Sequence, residues 1–203
     1  MWKKFGKEYL KIIGVEDIVK TFEYIDEELI QNIDAADNMQ FDLVENKISP
    51  DFIKLCNPEW NENISENESF QKALNLADIF WELYIKHAIA EVESIKEILT
   101  QINNTNKCYV VFDYEMPYRK VNKYINNNKV KYIIFKSRRN CYDIRSLIDT
   151  VKFKEEITKE KELNKIRDLT KIEDIIYVDL KGKLCCTKTI EGAISLIKYN
   201  EEN

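Results

Sequence analysis

Residues 175–198 read IIYVDLKGKLCCTKTIEGAISLIK: a strand, a tight turn, a second short strand and a helix in direct succession. The run from Ile175 to Val178 is β-branched and aromatic, as strands are. Lys181-Gly182-Lys183 is the turn, with Gly182 free to take a positive φ. Thr187 or Thr189 is placed to cap the next helix, and Glu191 stands where the helix dipole favours an anion. Ile190, Ala193, Ile194 and Ile197 repeat at i, i+3, i+4 and i+7, which makes one helix face apolar. A helix N-terminus that follows a turn and carries Thr187, Lys188 and Thr189 has the donors of an anion seat. The same hydroxyls serve equally well as caps in a plain packing unit.

Outward from this stretch, the composition bounds the class. The chain has 203 residues, 44% hydrophobic and 33% charged, enough for one large or two small domains with a core. No apolar run is long enough to span a membrane and no signal peptide is evident, so a soluble cytoplasmic protein is expected. Cys56, Cys108, Cys141, Cys185 and Cys186 show no metal spacing, and their odd number points to reduced thiols. Adjacent Cys185 and Cys186 would point to opposite faces of a strand, in a structural role. The net charge of −5 is uneven: residues 1–107 carry 11 basic and 21 acidic side chains, residues 108–203 carry 20 and 15. Two modules are expected, a helical one over 1–106 and a small mixed-sheet α+β domain over 107–203, the second better suited to an anionic partner.

In the first module, Ile18, Phe22, Ile25, Leu29, Ile33 and Ala36 predict one amphipathic helix over 17–36. Asp34 and Asp37 share a face near its end. Paired carboxylates suit a hard divalent cation, and two solvated acids look the same in sequence. Around 57–58 an Asn-Pro turn precedes Trp60, read as a packing anchor. Ser65 and Glu68 form a capping box for a long helix towards 102, with Phe70, Ala73, Leu74, Ala77, Phe80 and Leu83 as its stripe and a bend or break near Ala88. His87, the one histidine, sits four before Glu91. An i,i+4 pair explains it better than catalysis, since no nucleophile motif accompanies it.

In the second module, 108–112 and 130–135 read as buried strands and 117–124 as a helix, closed by a loop at 126–128. The turn at 136–139 contains Arg138 and is the densest basic cluster. It is either a phosphate contact or a solvated hairpin leading into a strand over 141–147. Residues 152–168 read as a charged, solvated face.

Several short motifs in order resemble the melanocyte-proliferating-gene family, within the DHH phosphoesterase superfamily. They are Trp2-Lys3-Lys4-Phe5-Gly6, the Asp34-Ala35-Ala36-Asp37-Asn38 segment, and Leu55-Cys56-Asn57-Pro58-Glu59-Trp60-Asn61. Further on come Pro117-Tyr118-Arg119, Arg167 and Thr187-Lys188-Thr189-Ile190-Glu191-Gly192-Ala193. Several positions depart from the family pattern: a glycine becomes Met39, a Gly-Gly pair becomes Cys185-Cys186, a histidine becomes Asp179, and a glycine before Arg167 becomes Lys165 or Ile166. A Cβ at each former glycine restricts close backbone approach, and an acid in place of histidine repels a phosphate.

The resemblance implies metal-dependent phosphoesterases of the 3'-5' exonuclease type. It covers the family's C-terminal two-thirds, without the lobe that carries His-x-x-x-Phe-His-x-Asp and Asp-His-His. With only Asp37 and Asp34 as candidate ligands and no histidine cluster, a catalytic metal pair is not expected here, so no catalytic residue is assigned. The expectation is a non-catalytic binding or scaffolding relative, inactive and without a cofactor by itself. Its nucleotide or RNA affinity would be weak and centred on Thr187, Lys188, Thr189 and Arg138. The alternative is one half of a split enzyme, with manganese or magnesium bound at Asp34 and Asp37 once a separate lobe completes the site. A chain that starts late relative to the family is the third reading. All three expect self-association or a partner protein on the exposed helical module.

Overall fold

Asp17 accepts a hydrogen bond from the Lys20 amide at 3.1 Å and so starts the first predicted helix where the sequence puts it. The computed structural model describes residues 1–38, 51–125 and 129–202; Met39 and the loop at 126–128 lie outside them. The chain forms two units, Met1–Glu93 and Ser94–Asn203.

The first unit is helical: α1 Trp2–Ile12, α2 Ile18–Ile25, α3 Gln31–Asp37, α4 Asp51–Lys54 and most of α5 Glu66–Asn104. Gly6 is required in α1, because a Cβ there would stand 2.7 Å from the Trp2 indole. That indole stacks on Phe22 at 5.2 Å and meets Trp81 edge-on at 5.5 Å. The predicted helix over 17–36 is interrupted by a π-helical turn, Asp26–Ile30. The wider turn loosens the i→i−4 ladder, and Asn32 Nδ2 reaches back to the carbonyls of Glu27 and Glu28 at 3.3 and 3.1 Å. Ile25 and Leu29 still enter the core, with Leu10, Val15, Tyr84, Ile85, Ala88 and Val92.

The capping box forms: the Ser65 amide and hydroxyl both donate to Glu68 Oε2, and the Glu68 amide donates back to Ser65 Oγ at 3.2 Å. The bonds from Ser65 hold the Glu68 carboxyl below its ordinary value. α5 runs unbroken past Ala88, with no glycine or proline to interrupt it. Of the predicted stripe, Phe80 packs on the core while Phe70, Leu74 and Leu83 are exposed, and the fully buried line runs through Ile85, Ala88, Val92, Ile95, Ile98 and Ile102. The first half of α5 carries apolar residues on more than one face, so spacing alone does not select the buried one. Trp60, expected as an anchor, is 94% exposed.

The second unit is a five-stranded mixed sheet in the order β1-β2-β3-β5-β4, which gives the α+β class expected. The strands are β1 Tyr109–Phe112, β2 Tyr132–Lys136, β3 Tyr142–Ser146, β4 Ile175–Val178 and β5 Leu184–Thr187. Only β1 and β2 are parallel. Alternation gives β2 two buried faces. Tyr132 and Ile134 join Ile144, Cys185, Leu196 and Ile197 in one layer, with α6 Glu155–Thr158, α7 Leu163–Thr170 and α8 Ile190–Glu201. Ile133 and Phe135 join Val110, Phe112, Ile98 and Ile102 in the other.

Residues 117–124 form only a 3-10 turn, Val121–Tyr124, because the looser path lets Met116, Tyr118 and Val121 reach the sheet. Residues 152–168 are not simply solvated: Phe153, Ile157 and Ile166 are buried. Gly182 takes φ 68°, as the turn demands. Among the described residues no helix is long and apolar enough to cross a membrane.

Candidate functional site

The register of β3 against β5 pairs Tyr142 with Thr187. The turn between β2 and β3 therefore lies at the same end of the sheet as the junction between β5 and α8. This brings Arg138, exposed in the turn, to the end that carries Lys188, also exposed. The fold thus gathers the sequence-predicted basic residues at one edge.

The α8 N-terminus itself is served by the protein. Thr189 Oγ1 accepts from the Gly192 amide at 3.1 Å and donates to Asp174 Oδ2. Thr187 is fully buried and donates to the Thr189 carbonyl at 2.8 Å. The Lys188 amide donates to the Asp174 carbonyl at 2.9 Å. Asp174 packs so closely on the first turn that a Cβ on Gly192 would meet its Cβ at 2.7 Å. The chain's own carboxylate fills the favourable end of the dipole, and an anion bound there would have to move it aside. Sequence reading missed Asp174, which lies fifteen residues from the helix it serves and has no local motif. Thr189→Ala is expected to cost about 1 kcal/mol through the lost cap, read as a fall in the urea midpoint with an unchanged slope.

Asp34 and Asp37 are exposed at the end of α3. No third acid, cysteine or histidine joins them among the described residues. A hard divalent pair needs several carboxylates and histidines around it, and these residues do not fit one. His87 Nε2 lies 3.8 Å from the largely buried Glu91 on α5, the i,i+4 pair expected. Asp179 sits in the hairpin between β4 and β5, where its amide pairs with the Leu184 carbonyl. Thr187 is the length of β5 away, about 10 Å at the rise of an extended strand. The Asp179 replacement therefore does not face the α8 N-terminus. Arg167 holds the chain: its Nε and a terminal nitrogen donate to the Ile175 carbonyl at 3.1 and 2.7 Å.

A second cluster lies under the basic edge, on the sheet face opposite α8. Asp143 is 2% exposed. Arg145 donates to its Oδ2 at 3.3 Å, and Arg139 reaches its two oxygens at 3.4 and 3.5 Å. Cys186 Sγ donates to Oδ1 at 2.9 Å, and Cys141 Sγ stands 3.9 Å from the same oxygen. Cys141 and the Ser137 hydroxyl share a hydrogen bond of 3.2 Å. Burial pushes the Cys186 thiol up, and the bond to Asp143 pushes it further. Cys185, on the other face as predicted, is raised well above its ordinary value, first by burial. The readable signal was Cys141-x-Asp143-x-Arg145, which puts three polar side chains on one face of a strand. Only the pairing of β3 with β5 adds Cys186.

A family model named MYG1_exonuc, described as Uncharacterised protein family (UPF0160), matches residues 1–200. No curated protein and no solved structure matches the chain.

Proposed function

The chain belongs to the MYG1 exonuclease family, the melanocyte-proliferating-gene family, and from that premise we propose that it is a binding or scaffolding relative of metal-dependent DHH-type phosphoesterases. Residues 1–203 carry no hydrolytic site of their own on this reading. The observation behind it is the ligand inventory. Asp34 and Asp37 are exposed with no third ligand among the described residues, and the sequence has one histidine, engaged with Glu91. The anionic partner, a nucleotide or short RNA, is drawn to the edge with Arg138 and Lys188. Thr187 and Thr189 shape that edge through their hydrogen bonds. A cytoplasmic setting fits the five free thiols.

A second reading keeps Asp34 and Asp37 as ligands. Outside these residues, a histidine-rich lobe would bring the other ligands and manganese or magnesium. The exposed Phe70, Leu74 and Leu83 on α5 favour it, because an apolar patch there suits a partner protein or a second copy of the chain.

The test is cleavage of short RNA by the pure chain with manganese or magnesium. No turnover is expected, while salt-sensitive RNA binding should lose roughly one unit of salt slope in Lys188→Ala. Turnover abolished by Asp37→Ala would overturn the proposal. RNA binding unchanged in both Arg138→Ala and Lys188→Ala would remove the binding edge.

A further inference from the structure

We propose that Cys141, Asp143 and Cys186 form a zinc site that ties β3 to β5. Their donor atoms all lie within 4.8 Å of one another, and all three residues are buried. Zinc held about 2.3 Å from sulfur and about 2.0–2.2 Å from oxygen in a tetrahedral shell sets its donors roughly 3.5–3.8 Å apart. The separations of 2.9 and 3.9 Å from Asp143 Oδ1 to the two sulfurs bracket that spacing. Small side-chain adjustments set the three donors around one ion, and a water takes the fourth tetrahedral position.

The strand pairing fixes these atoms. Cys141 and Asp143 alternate onto one face of the sheet, and Cys186 is the cross-strand partner of Asp143. Asp143 divides its oxygens between two tasks. Oδ2 receives Arg145 at 3.3 Å, while Oδ1 turns to the sulfurs, with Arg139 at 3.4 Å as its other partner. A guanidinium on the far oxygen is the outer partner that orients a ligating carboxylate. Ser137 does the same for Cys141.

Charge supports the exchange. With both thiols protonated, one carboxylate faces two guanidiniums. When a dication replaces the two thiol protons, the net charge of the cluster is unchanged. Arg139, 67% exposed, is free to swing aside, and Arg145 stays as counter-ion. Thiols are weak donors, so Oδ1 gains a stronger partner. Thiolate ligands select zinc over magnesium and manganese, so this site is chemically distinct from a hard-metal phosphoesterase centre. It does not depend on the function proposed above.

The test uses the full chain, reduced and stripped of metal, then given zinc chloride or cadmium chloride. One zinc per chain should be retained, with two sulfur scatterers in its K-edge absorption spectrum. Cadmium should bring an ultraviolet thiolate charge-transfer band. Cys141→Ser and Cys186→Ser should each weaken zinc binding by more than about 100-fold, beyond the loss that outer-shell changes cause. Cys56→Ser and Cys108→Ser should leave it unchanged. A zinc shell with fewer than two sulfurs, no stoichiometric zinc, or unchanged affinity in folded Cys186→Ser would overturn the proposal. Should the serine variants not fold, the spectrum of the unaltered protein decides.

Discussion

Phe135→Ala is expected to destabilise the second unit by about 3–5 kcal/mol, the cost of emptying a well-packed aromatic site. Phe135 has no exposed surface and sits near the C-terminal end of β2. Its ring meets Tyr118 at 6.0 Å and belongs to the layer with Val110, Phe112, Ile98 and Ile102. Two features keep the cavity from closing. Hydrogen bonding to β1 and β3 on either side fixes the backbone of β2, and the neighbouring Ile134 is locked into the opposite layer. Urea unfolding followed by near-ultraviolet circular dichroism measures the loss. A cost under 1 kcal/mol would show that this layer relaxes around the missing ring.

Arg145→Leu should cost about 3–4 kcal/mol by stranding a buried carboxylate. The asymmetry of the pair sets the size. The Asp143 side chain is 3% exposed, whereas that of Arg145 is 23% exposed and that of Arg139 67%. The acid bears most of the desolvation, and the remaining guanidinium is largely solvated and screened. Removing both charges in Asp143→Val with Arg145→Leu should return the protein to within about 1 kcal/mol of the original, because apolar residues of similar size need no partner. A double variant no more stable than Arg145→Leu alone would show that packing, not the unpaired charge, carries the cost. A double-mutant cycle in urea, run without added metal, separates the two.

The local elements were legible in the sequence. The helix start near Asp17, the Ser65–Glu68 box, Gly182 at the turn and the apolar face of α8 each depend on residues within one or two turns of chain. Their backbone geometry follows from side-chain chemistry at short range. The same holds for the opposite facing of Cys185 and Cys186, since alternation is built into any strand. The π-turn at Asp26–Ile30, the burial of Phe153, Ile157 and Ile166, and the choice of which face of α5 is covered were not legible. Each is decided by what packs against the segment, and periodicity reports only that an apolar face exists.

The candidate sites divide along the same line. The sequence by itself determined the family motifs, the basic turn at Arg138, the scarcity of histidine and the placing of Asp34 and Asp37 on one helix face. Only the tertiary structure decided that Asp174 occupies the α8 N-terminus, that Asp179 stands a strand's length from it, and that Cys141, Asp143 and Cys186 converge. Cys186 is 45 residues from Cys141, and no spacing rule spans that gap. The antiparallel register of β3 with β5 closes it, because cross-strand neighbours are set by pairing rather than by distance along the chain.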